Sequence, residues 1–221
     1  IDLYQLHWPE RITNTFGKRD FDSSVNDKWE ENFENVLFNL KTIISSGKVR
    51  QIGISNENPW AFMKYLELSK KKLPKTITIQ NPYSLLNRLF EIGNSEICMR
   101  EDVGLLAYSP LGFGVLSGKY LNGNMPEDSR LKLFPNLSRF SGENSMKATS
   151  MYYNISKKHD LSLTQMALSF VNSRPFVTSN IIGASKLNQL KENIESINID
   201  LSEDALKDIN EVHKIIPNPA P

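Results

Sequence analysis

The chain has 221 residues, of which 39% are hydrophobic and 23% charged, and its 26 Lys and Arg residues balance 25 Asp and Glu residues. This composition is typical of a soluble globular protein, and its net charge of +1 is too small to attract nucleic acid or an anionic membrane. No apolar stretch is long enough to span a bilayer, and the single cysteine, Cys98, excludes an internal disulfide and a cysteine-based zinc cluster. We therefore expect a cytoplasmic protein without nucleic-acid or membrane partners, with Cys98 as a core residue.

The first predicted element is an apolar run that ends in a histidine. Residues 1–9 read IDLYQLHWP, which indicates a buried strand with His7 and Trp8 at its tip. A histidine and an aromatic residue at a strand end are typical of the mouth of an active site. Because the strand has neither an initiator Met nor a preceding partner before it, we expect the chain to begin inside a larger domain.

Helices and strands then alternate along the chain. Apolar residues recur at helical spacing from Phe33 to Ile44, and Gly47 follows as a helix cap. The remaining predicted elements are a strand at 49–54, a helix at 59–71, a strand at 76–79, a helix at 91–101, a strand at 104–108, a helix opened by a Ser162/Gln165 capping box, a strand ending at 180–183, a helix over 187–197 and a last helix capped by Ser202. This alternation predicts a parallel α/β architecture, either an open doubly wound sheet or a barrel.

The residues at the strand ends favour the barrel. Each of the five predicted strands ends in polar or glycine residues, at His7, 55–56, 80–81, 108–109 and 183–185. An open sheet gathers its ligand at one switch point, whereas a barrel builds its site from the carboxyl ends of many strands. A closed (β/α)8 barrel, the TIM barrel, has eight strands and about 250 residues. We therefore expect an N-terminally truncated piece of such a barrel, with five strands present and three β/α units missing.

The segment 110–142 is longer than an ordinary strand-to-helix connection. It contains Gly112 and Gly114 directly after a strand end, where glycine lets the backbone approach a phosphate, and Lys119 and Arg130 add positive charge. The same composition is also typical of a surface lid with solvated charges. The sequence supports a cofactor-covering loop and such a lid about equally.

The helix after residue 185 carries a second candidate for anion binding. Ser185 lies where this helix begins, so unpaired backbone N–H groups and the helix dipole favour an anion there. Gln189 and Asn193 follow at i+4 and i+8 and form a polar stripe along which a nucleotide could lie. The opposite, apolar face consists of Leu187, Leu190, Ile194 and Ile197. For an isolated helix, an ordinary solvated face would be the preferred explanation of the stripe.

Five strings of residues carry a resemblance to a known family. They are DLYQLHWP at 2–9, GKVRQIGISN at 47–56, IQNPYSLLNR at 79–88, LAYSPLG at 106–112 and IGASKLNQLKEN at 182–193. Together they resemble the aldo/keto reductases, most closely the Tas-like group, with relatives among the potassium-channel β-subunits. The resemblance extends over the whole of residues 1–221, which we expect to be one partial oxidoreductase domain.

The resemblance implies a barrel that binds NADP(H) and reduces aldehyde or ketone carbonyls by direct hydride transfer, without a metal. It matches His7 to a catalytic histidine that orients and polarises the carbonyl, and it places Trp8 in the wall of the substrate pocket. Ser55, Asn56 and Gln80 match the residues that bind the nicotinamide carboxamide, a task suited to paired donors and acceptors.

The resemblance also implies how the rest of the cofactor is held. Tyr108 matches the aromatic residue that stacks on the nicotinamide ring. The loop over the pyrophosphate would contain Ser109, Pro110, Leu111, Gly112 and Lys119, with Arg130 slightly beyond it. The adenosine half would contact Gly183, Ser185, Gln189, Glu192 and Asn193. Lys186 is the nearest cation for a 2′-phosphate, while the arginine that other branches carry at the Gln189 position is absent.

Three residues of the family's catalytic tetrad, an Asp, a Tyr and a Lys, belong to the β/α units that would precede His7, so we expect the 221-residue piece to be inactive. The alternative function is a regulatory subunit of the potassium-channel β type, which senses the cofactor rather than turning it over. A metal-dependent barrel hydrolase is disfavoured because the three histidines, His7, His159 and His213, are dispersed, and surface or capping roles are expected for the last two.

Overall fold

The computed structural model describes residues 1–14, 16–24 and 27–221 and shows an α/β fold. The described strands are β1 (Leu3–Leu6), β2 (Gln51–Ser55), β3 (Thr76–Pro82), β4 (Gly104–Tyr108) and β5 (Val177–Asn180). They belong to one sheet with the order β1-β2-β3-β4-β5. Strand order that follows chain order, with helices in the connections, is the arrangement expected of consecutive β/α units of a barrel.

The helices within the described part of the chain are α1 (Phe33–Ser45), α2 (Pro59–Ser69), α3 (Asn94–Glu101), α4 (Arg130–Leu133), α5 (Glu143–Lys158), α6 (Leu163–Asn172), α7 (Leu187–Glu195) and α8 (Glu203–Ile215). None of them is both long and apolar enough to cross a membrane. The capping box that opens α6 is confirmed, because Ser162 Oγ accepts from Gln165 N at 3.0 Å and Gln165 Oε1 accepts from Ser162 N at 3.0 Å. Gly47 has φ +75° just after α1, as expected of a helix cap.

Parallel pairing brings the carboxyl ends of the first three strands to the same edge. β1 pairs with β2 so that Leu6 lies opposite Ile54, and β2 pairs with β3 so that Ser55 lies opposite Gln80. The pairing passes through Gly53, where a Cβ atom would collide with Thr78 Oγ1. Glycine is therefore required at this point for the strands to keep their spacing.

The described residues divide into two compact units. The first unit consists of residues 1–81 and 90–106. Within it, α1 packs on α2 and α2 packs on α3. Its core combines strand and helix residues that are almost fully buried: Phe33, Leu37, Ile52, Ile54, Ala61, Phe62, Leu66 and Ile79. Cys98 is buried in the same unit, which confirms its expected place in the core, and burial raises the pKa of its thiol to about 12.

The second unit consists of residues 82–89 and 107–221. Its central element is α6, which packs against α5, α7 and β5. Most of this helix is buried, as expected for an element covered on several sides: Leu163, Thr164, Met166, Ala167, Leu168, Ser169, Phe170 and Val171. α5 also packs against α8.

The structure differs from the sequence-based expectation in four places. The last strand, β5, ends at Asn180, three residues before the expected end at Gly183. α5 was not anticipated, and the segment 110–142 is not a plain loop, because it contains short helical turns at Gly112–Ser117 and Leu121–Gly123 and the helix α4. The expected amphipathic arrangement of α7 is also wrong. The side chain of Leu187 is 69% exposed, and Leu190, Ile194 and Ile197 are exposed as well, whereas Asn193 from the supposed solvent-facing stripe is buried.

Candidate active site

His7 and Asn56 are joined at the ends of β1 and β2. His7 follows the last residue of β1, and its backbone oxygen accepts a hydrogen bond from Asn56 Nδ2 at 2.9 Å. Asn56 also donates to Ser55 Oγ at 3.1 Å, and it has φ +59°, a left-handed conformation that asparagine tolerates better than most residues. The turn after β2 therefore fixes the position of the backbone that carries the His7 imidazole.

Gln80 completes this group from the end of β3. Its backbone oxygen accepts from Ser55 Oγ at 2.7 Å and from Asn56 N at 3.0 Å, and its side-chain Nε2 donates to Gln5 Oε1 at 2.9 Å. The structure thus brings together the four predicted residues of the first unit, His7, Ser55, Asn56 and Gln80. Hydroxyl and primary amide groups in one hydrogen-bonded cluster can pair with a ligand that has both donors and acceptors.

The imidazole of His7 is exposed beside an aromatic wall. Its ring centroid lies 5.8 Å from that of Trp8, and Trp8 meets Phe16 edge-to-face at 5.1 Å. Trp8 and Phe16 are themselves large exposed aromatic residues. Phe16 was not predicted as part of the site, because nothing in the local sequence marks it. An imidazole next to exposed rings can approach a ligand that has a polar group and an apolar body.

A buried ion pair ties the segment after His7 to the turn after Asn56. Arg11 forms a bidentate pair with Glu57 at 3.1 and 2.7 Å, and their side chains are 7% and 4% exposed. The Arg11 guanidinium also lies 5.2 Å from the Trp60 ring centroid. The backbone oxygen of Glu57 accepts from Asn81 Nδ2 at 2.9 Å. Sequence reasoning missed this pair, because residues 46 positions apart leave no spacing signal.

In the second unit, Tyr108 is held at both ends. Its backbone oxygen accepts from Tyr83 N at 3.2 Å, and its hydroxyl is hydrogen-bonded to the Arg139 side chain. Burial raises the pKa of Tyr108 to about 12, and the Arg139 charge opposes this shift only in part. The phenol therefore stays protonated at neutral pH, and its ring has a defined orientation.

The backbone after Tyr108 is wound into left-handed turns. Ser109 has φ +56°, Gly112 +52° and Gly114 +88°, and Ser109 O accepts from Gly112 N at 2.9 Å. A Cβ atom on Gly114 would lie 2.9 Å from Lys119 Nζ, so the glycine lets the ammonium approach the backbone. Turns of this kind form concave groups of N–H donors that suit anions. The N–H groups of Gly112 and Gly114 donate to Ser109 O and Leu111 O within the turn, and the phosphate-covering role of the segment stays a prediction.

Arg130 lies over the same turn. Its guanidinium carbon is 4.5 Å from the centroid of the Phe113 ring, within the range of a cation–π contact. Phe113 packs edge-to-face on Phe140, which is completely buried. The predicted loop cations therefore both lie beside residues 113–114, with Lys119 next to Gly114 and the exposed Arg130 over the Phe113 ring.

The start of α7 is stabilised by the predicted nucleotide residues themselves. Gln189 Oε1 accepts from Ser185 N at 3.2 Å and from Ser185 Oγ at 3.3 Å. Asn193 Nδ2 donates to Gly183 O at 3.3 Å, which explains why this side chain is buried. Glu192 Oε1 accepts from Ser162 Oγ, the cap of α6, at 2.5 Å. Four of the five predicted residues, Gly183, Ser185, Gln189 and Asn193, thus hold the turn before α7, whereas Glu192 contacts the cap of α6.

Lys186, the candidate for a 2′-phosphate, pairs with an acidic residue from the 110–142 segment. Its Nζ lies 2.7 Å from Asp128 Oδ2, and both side chains are more than half exposed. The hydrogen bond from Lys186 holds the pKa of Asp128 below its usual value. Sequence reasoning did not anticipate this pair, because its two residues meet only in the folded chain.

The other histidines lie in helix-end positions, as expected. His159 is the C-cap residue of α5, and its Nε2 lies 2.8 Å from Asp208 Oδ2, while His213 lies in the last turn of α8. Within residues 1–14, 16–24 and 27–221, no group of three His, Cys, Asp or Glu side chains is arranged to hold a metal ion.

Comparison with known proteins defines the class. The sequence profile described as "Aldo/keto reductase family" matches residues 1–214. The chain therefore belongs to the aldo/keto reductase family, which agrees with the resemblance carried by its five strings.

Among its relatives, the chain is similar to "Protein tas" of Escherichia coli (strain K12), with 49% identity over all of this chain and 64% of that protein. The "L-glyceraldehyde 3-phosphate reductase" of the same organism is 36% identical over 72% of this chain and 47% of its own length. The "Probable voltage-gated potassium channel subunit beta" of Oryza sativa subsp. japonica is 38% identical over 44% of this chain and 30% of its own length. The chain thus spans less than two thirds of each of these relatives.

Proposed function

We propose that the protein to which this chain belongs is an NADP(H)-dependent oxidoreductase that reduces aldehyde or ketone carbonyls by hydride transfer. The observation that carries the proposal is the hydrogen-bonded group of His7, Ser55, Asn56 and Gln80 at the carboxyl ends of three parallel strands. Membership of the aldo/keto reductase family supports the same reaction class. A relative named for the reduction of a phosphorylated aldehyde agrees with a carbonyl substrate.

Ser55, Asn56 and Gln80 would bind the carboxamide of the nicotinamide. A carboxamide needs both a donor and an acceptor, and hydroxyl and amide side chains supply both. Their mutual hydrogen bonds hold them in place before a ligand arrives, which reduces the entropy lost on binding. The Tyr108 ring would stack on the nicotinamide. When bound, the cofactor supplies the hydride.

His7 would orient the substrate carbonyl and donate a hydrogen bond to its oxygen. An imidazole has an N–H donor in either protonation state, and the exposed position of His7 leaves the ring accessible. The hydrogen bond from Asn56 to the His7 backbone limits movement of this residue. Trp8 and Phe16 would form the apolar wall of the substrate pocket and exclude water from the reacting groups.

Lys119, Arg130 and Lys186 would carry the phosphate contacts. Lys119 and Arg130 lie around the left-handed turn at 112–114, which suits a pyrophosphate. Lys186 would bind the 2′-phosphate in place of Asp128. Because exposed ion pairs contribute little to stability, a phosphate dianion can replace the carboxylate at this lysine. This exchange is the basis for proposing NADP(H) rather than NAD(H).

The proposal is tested by assaying the full-length protein for NADPH oxidation with a panel of aldehydes and ketones. We expect turnover that depends on both the carbonyl compound and NADPH. Tight NADPH binding without turnover of any carbonyl would instead favour a regulatory subunit that senses the cofactor. Absence of NADPH binding would contradict both functions.

A further inference from the structure

Arg139 links the candidate stacking residue to the last residues of the chain. Its side chain is hydrogen-bonded to the Tyr108 hydroxyl, and its Nε donates to Pro221 O at 2.8 Å. The guanidinium carbon also lies 5.1 Å from the centroid of the Phe140 ring. Arginine has only donors, so the Tyr108 oxygen is the acceptor in this contact. The five strings that carry the family resemblance do not include Arg139.

The segment that supplies Pro221 O is itself firmly held. Asn218 Oδ1 accepts from Arg88 N at 2.7 Å, and Ala220 N donates to Leu86 O at 3.0 Å. Ser145 Oγ donates to the backbone oxygen of the intervening Pro219 at 3.2 Å. Asn218 and Ala220 are buried. Residues 218–221 thus form a rigid support for Arg139 within the second unit.

We propose that Arg139 is a positioning residue for the cofactor, which acts by fixing the ring of Tyr108 through its hydroxyl. The backbone of Tyr108 is held in β4 by the hydrogen bond from Tyr83 N, so the hydroxyl contact fixes the opposite end of the side chain. A ring held at both ends presents one face in a constant orientation. This inference rests on the proposed stacking of Tyr108 on the nicotinamide.

Because Arg139 holds the Tyr108 ring in place, the cofactor does not have to immobilise this side chain when it binds. Immobilising a free side chain on binding weakens affinity by about two- to tenfold, and Arg139 has already immobilised Tyr108 before the cofactor arrives. The Phe140 ring beneath the guanidinium and the carbonyl of Pro221 together restrict Arg139 itself. Lysine could not reproduce this role, because it lacks the planar set of donors that contacts two acceptors at once.

The test is a double-mutant cycle in the full-length protein, read out as the dissociation constant of NADPH. We expect Arg139→Met to weaken NADPH binding by about two- to tenfold, and Tyr108→Phe to weaken it by a similar factor. Because both changes remove the same hydrogen bond, the double variant should bind no more weakly than Tyr108→Phe alone. Arg139→Lys should lose most of the same affinity.

Arg174→Met is the matched control. Arg174 also lies over an aromatic ring, at 4.6 Å from the Phe170 centroid, and is hydrogen-bonded to its neighbour Ser173. This variant should bind NADPH like the unmodified protein. Urea unfolding of each variant shows whether it is folded, and if Arg139→Met does not fold, Arg139→Lys takes its place in the cycle.

Two results would overturn the proposal in distinguishable ways. If Arg139→Met weakens binding by the same factor with Tyr108 present and after the Tyr108→Phe substitution, or has no effect, Arg139 does not act through the hydroxyl. If Tyr108→Ala leaves NADPH affinity unchanged, the proposed stacking of Tyr108 is itself wrong, and the positioning role is lost with it.

Discussion

The strand-end group of the first unit and the turn before α7 in the second unit are built on different principles. At the strand ends, Ser55 and Asn56 donate short hydrogen bonds to the backbone oxygens of Gln80 and His7, and all of these partners are neutral. At the α7 turn, an exposed ion pair joins Lys186 to Asp128. Neutral hydrogen bonds depend strongly on direction, whereas an exposed charge acts with little geometric restriction. We infer that the first region sets the orientation of the bound cofactor and that the second region adjusts the affinity for it.

The largest expected effect comes from His7. In the full-length protein, His7→Ala should lower kcat by about a hundred- to a thousandfold, the usual cost of removing one hydrogen-bond donor to the oxygen of a reacting carbonyl. The dissociation constant of NADPH should change little, because in the proposed mechanism the imidazole contacts the carbonyl and not the cofactor. Steady-state kinetics and a binding titration separate the two quantities. His159→Ala is the control, since His159 contacts Asp208 and should leave kcat unchanged. Weakened NADPH binding with an unchanged kcat would move His7 out of the catalytic role.

The next effect concerns the rigidity of the strand-end region. Arg11→Met leaves Glu57 as an unpaired buried carboxylate and should lower the free energy of unfolding by about 3–5 kcal/mol. Asp2→Asn removes one partner of the pair with Arg50, in which both side chains are about four fifths exposed, and should change stability by less than about 1 kcal/mol. Urea denaturation measures both. Equal losses in the free energy of unfolding for the two variants would show that the buried pair does not stabilise this region.

The next prediction concerns the ion pair between Lys186 and Asp128 at the α7 turn. Lys186→Ala should weaken NADPH binding by about ten- to a hundredfold, because a charged hydrogen bond is removed, and should leave NADH binding nearly unchanged. Asp128→Asn should instead strengthen NADPH binding, since the carboxylate no longer competes for the lysine.

Lys119→Ala and Arg130→Ala serve as the comparison for Lys186. If Lys119 and Arg130 hold the pyrophosphate, each substitution should weaken the binding of NADPH and of NADH by a similar factor. If all three variants lose affinity for NADPH and for NADH by similar factors, the proposed 2′-phosphate contact of Lys186 is contradicted.

The smallest expected effect is that of changing Ser162, which caps α6 and is also hydrogen-bonded to Glu192 of α7. Ser162→Ala removes the cap of α6 and the hydrogen bond to Glu192, and should lower stability by about 1 kcal/mol and slightly weaken NADPH binding. Ser202 caps α8 in the same way, by accepting from Ala205 N. Ser202→Ala should lower stability similarly but leave NADPH affinity unchanged, and a loss of affinity in both variants would mean that Glu192 is not the link.

The strand-end residues could be predicted because parallel strands bring their carboxyl ends to one edge. His7, Ser55 and Gln80 follow apolar runs that are recognisable in the sequence, and the structure places them in one group. The partners that brace this group could not be predicted. Arg11 and Glu57 are 46 positions apart, and Tyr108 and Arg139 also meet only in the folded chain.

Two helices show where patterns of apolar residues fail. α5 was not anticipated because much of its buried face consists of small residues with little hydrophobic signal: Ser145, Ala148, Thr149 and Ser156. In α7 the apolar periodicity predicted the wrong buried face, because the hydrogen bond from Asn193 to Gly183 turns the polar side inward. A periodic pattern shows that two faces differ, but tertiary contacts decide which one is covered.

The central claim is that the strand-end group binds the nicotinamide, and Gln80 tests it most directly. Binding of NADPH and of its adenosine bisphosphate fragment, which lacks the nicotinamide, should be measured by calorimetry for the full-length protein and for its Gln80→Ala variant. We expect the substitution to weaken NADPH binding by up to about tenfold, the effect of one neutral hydrogen bond, and to leave the fragment unaffected. Equal losses for both ligands, or no loss of NADPH affinity, would contradict the claim.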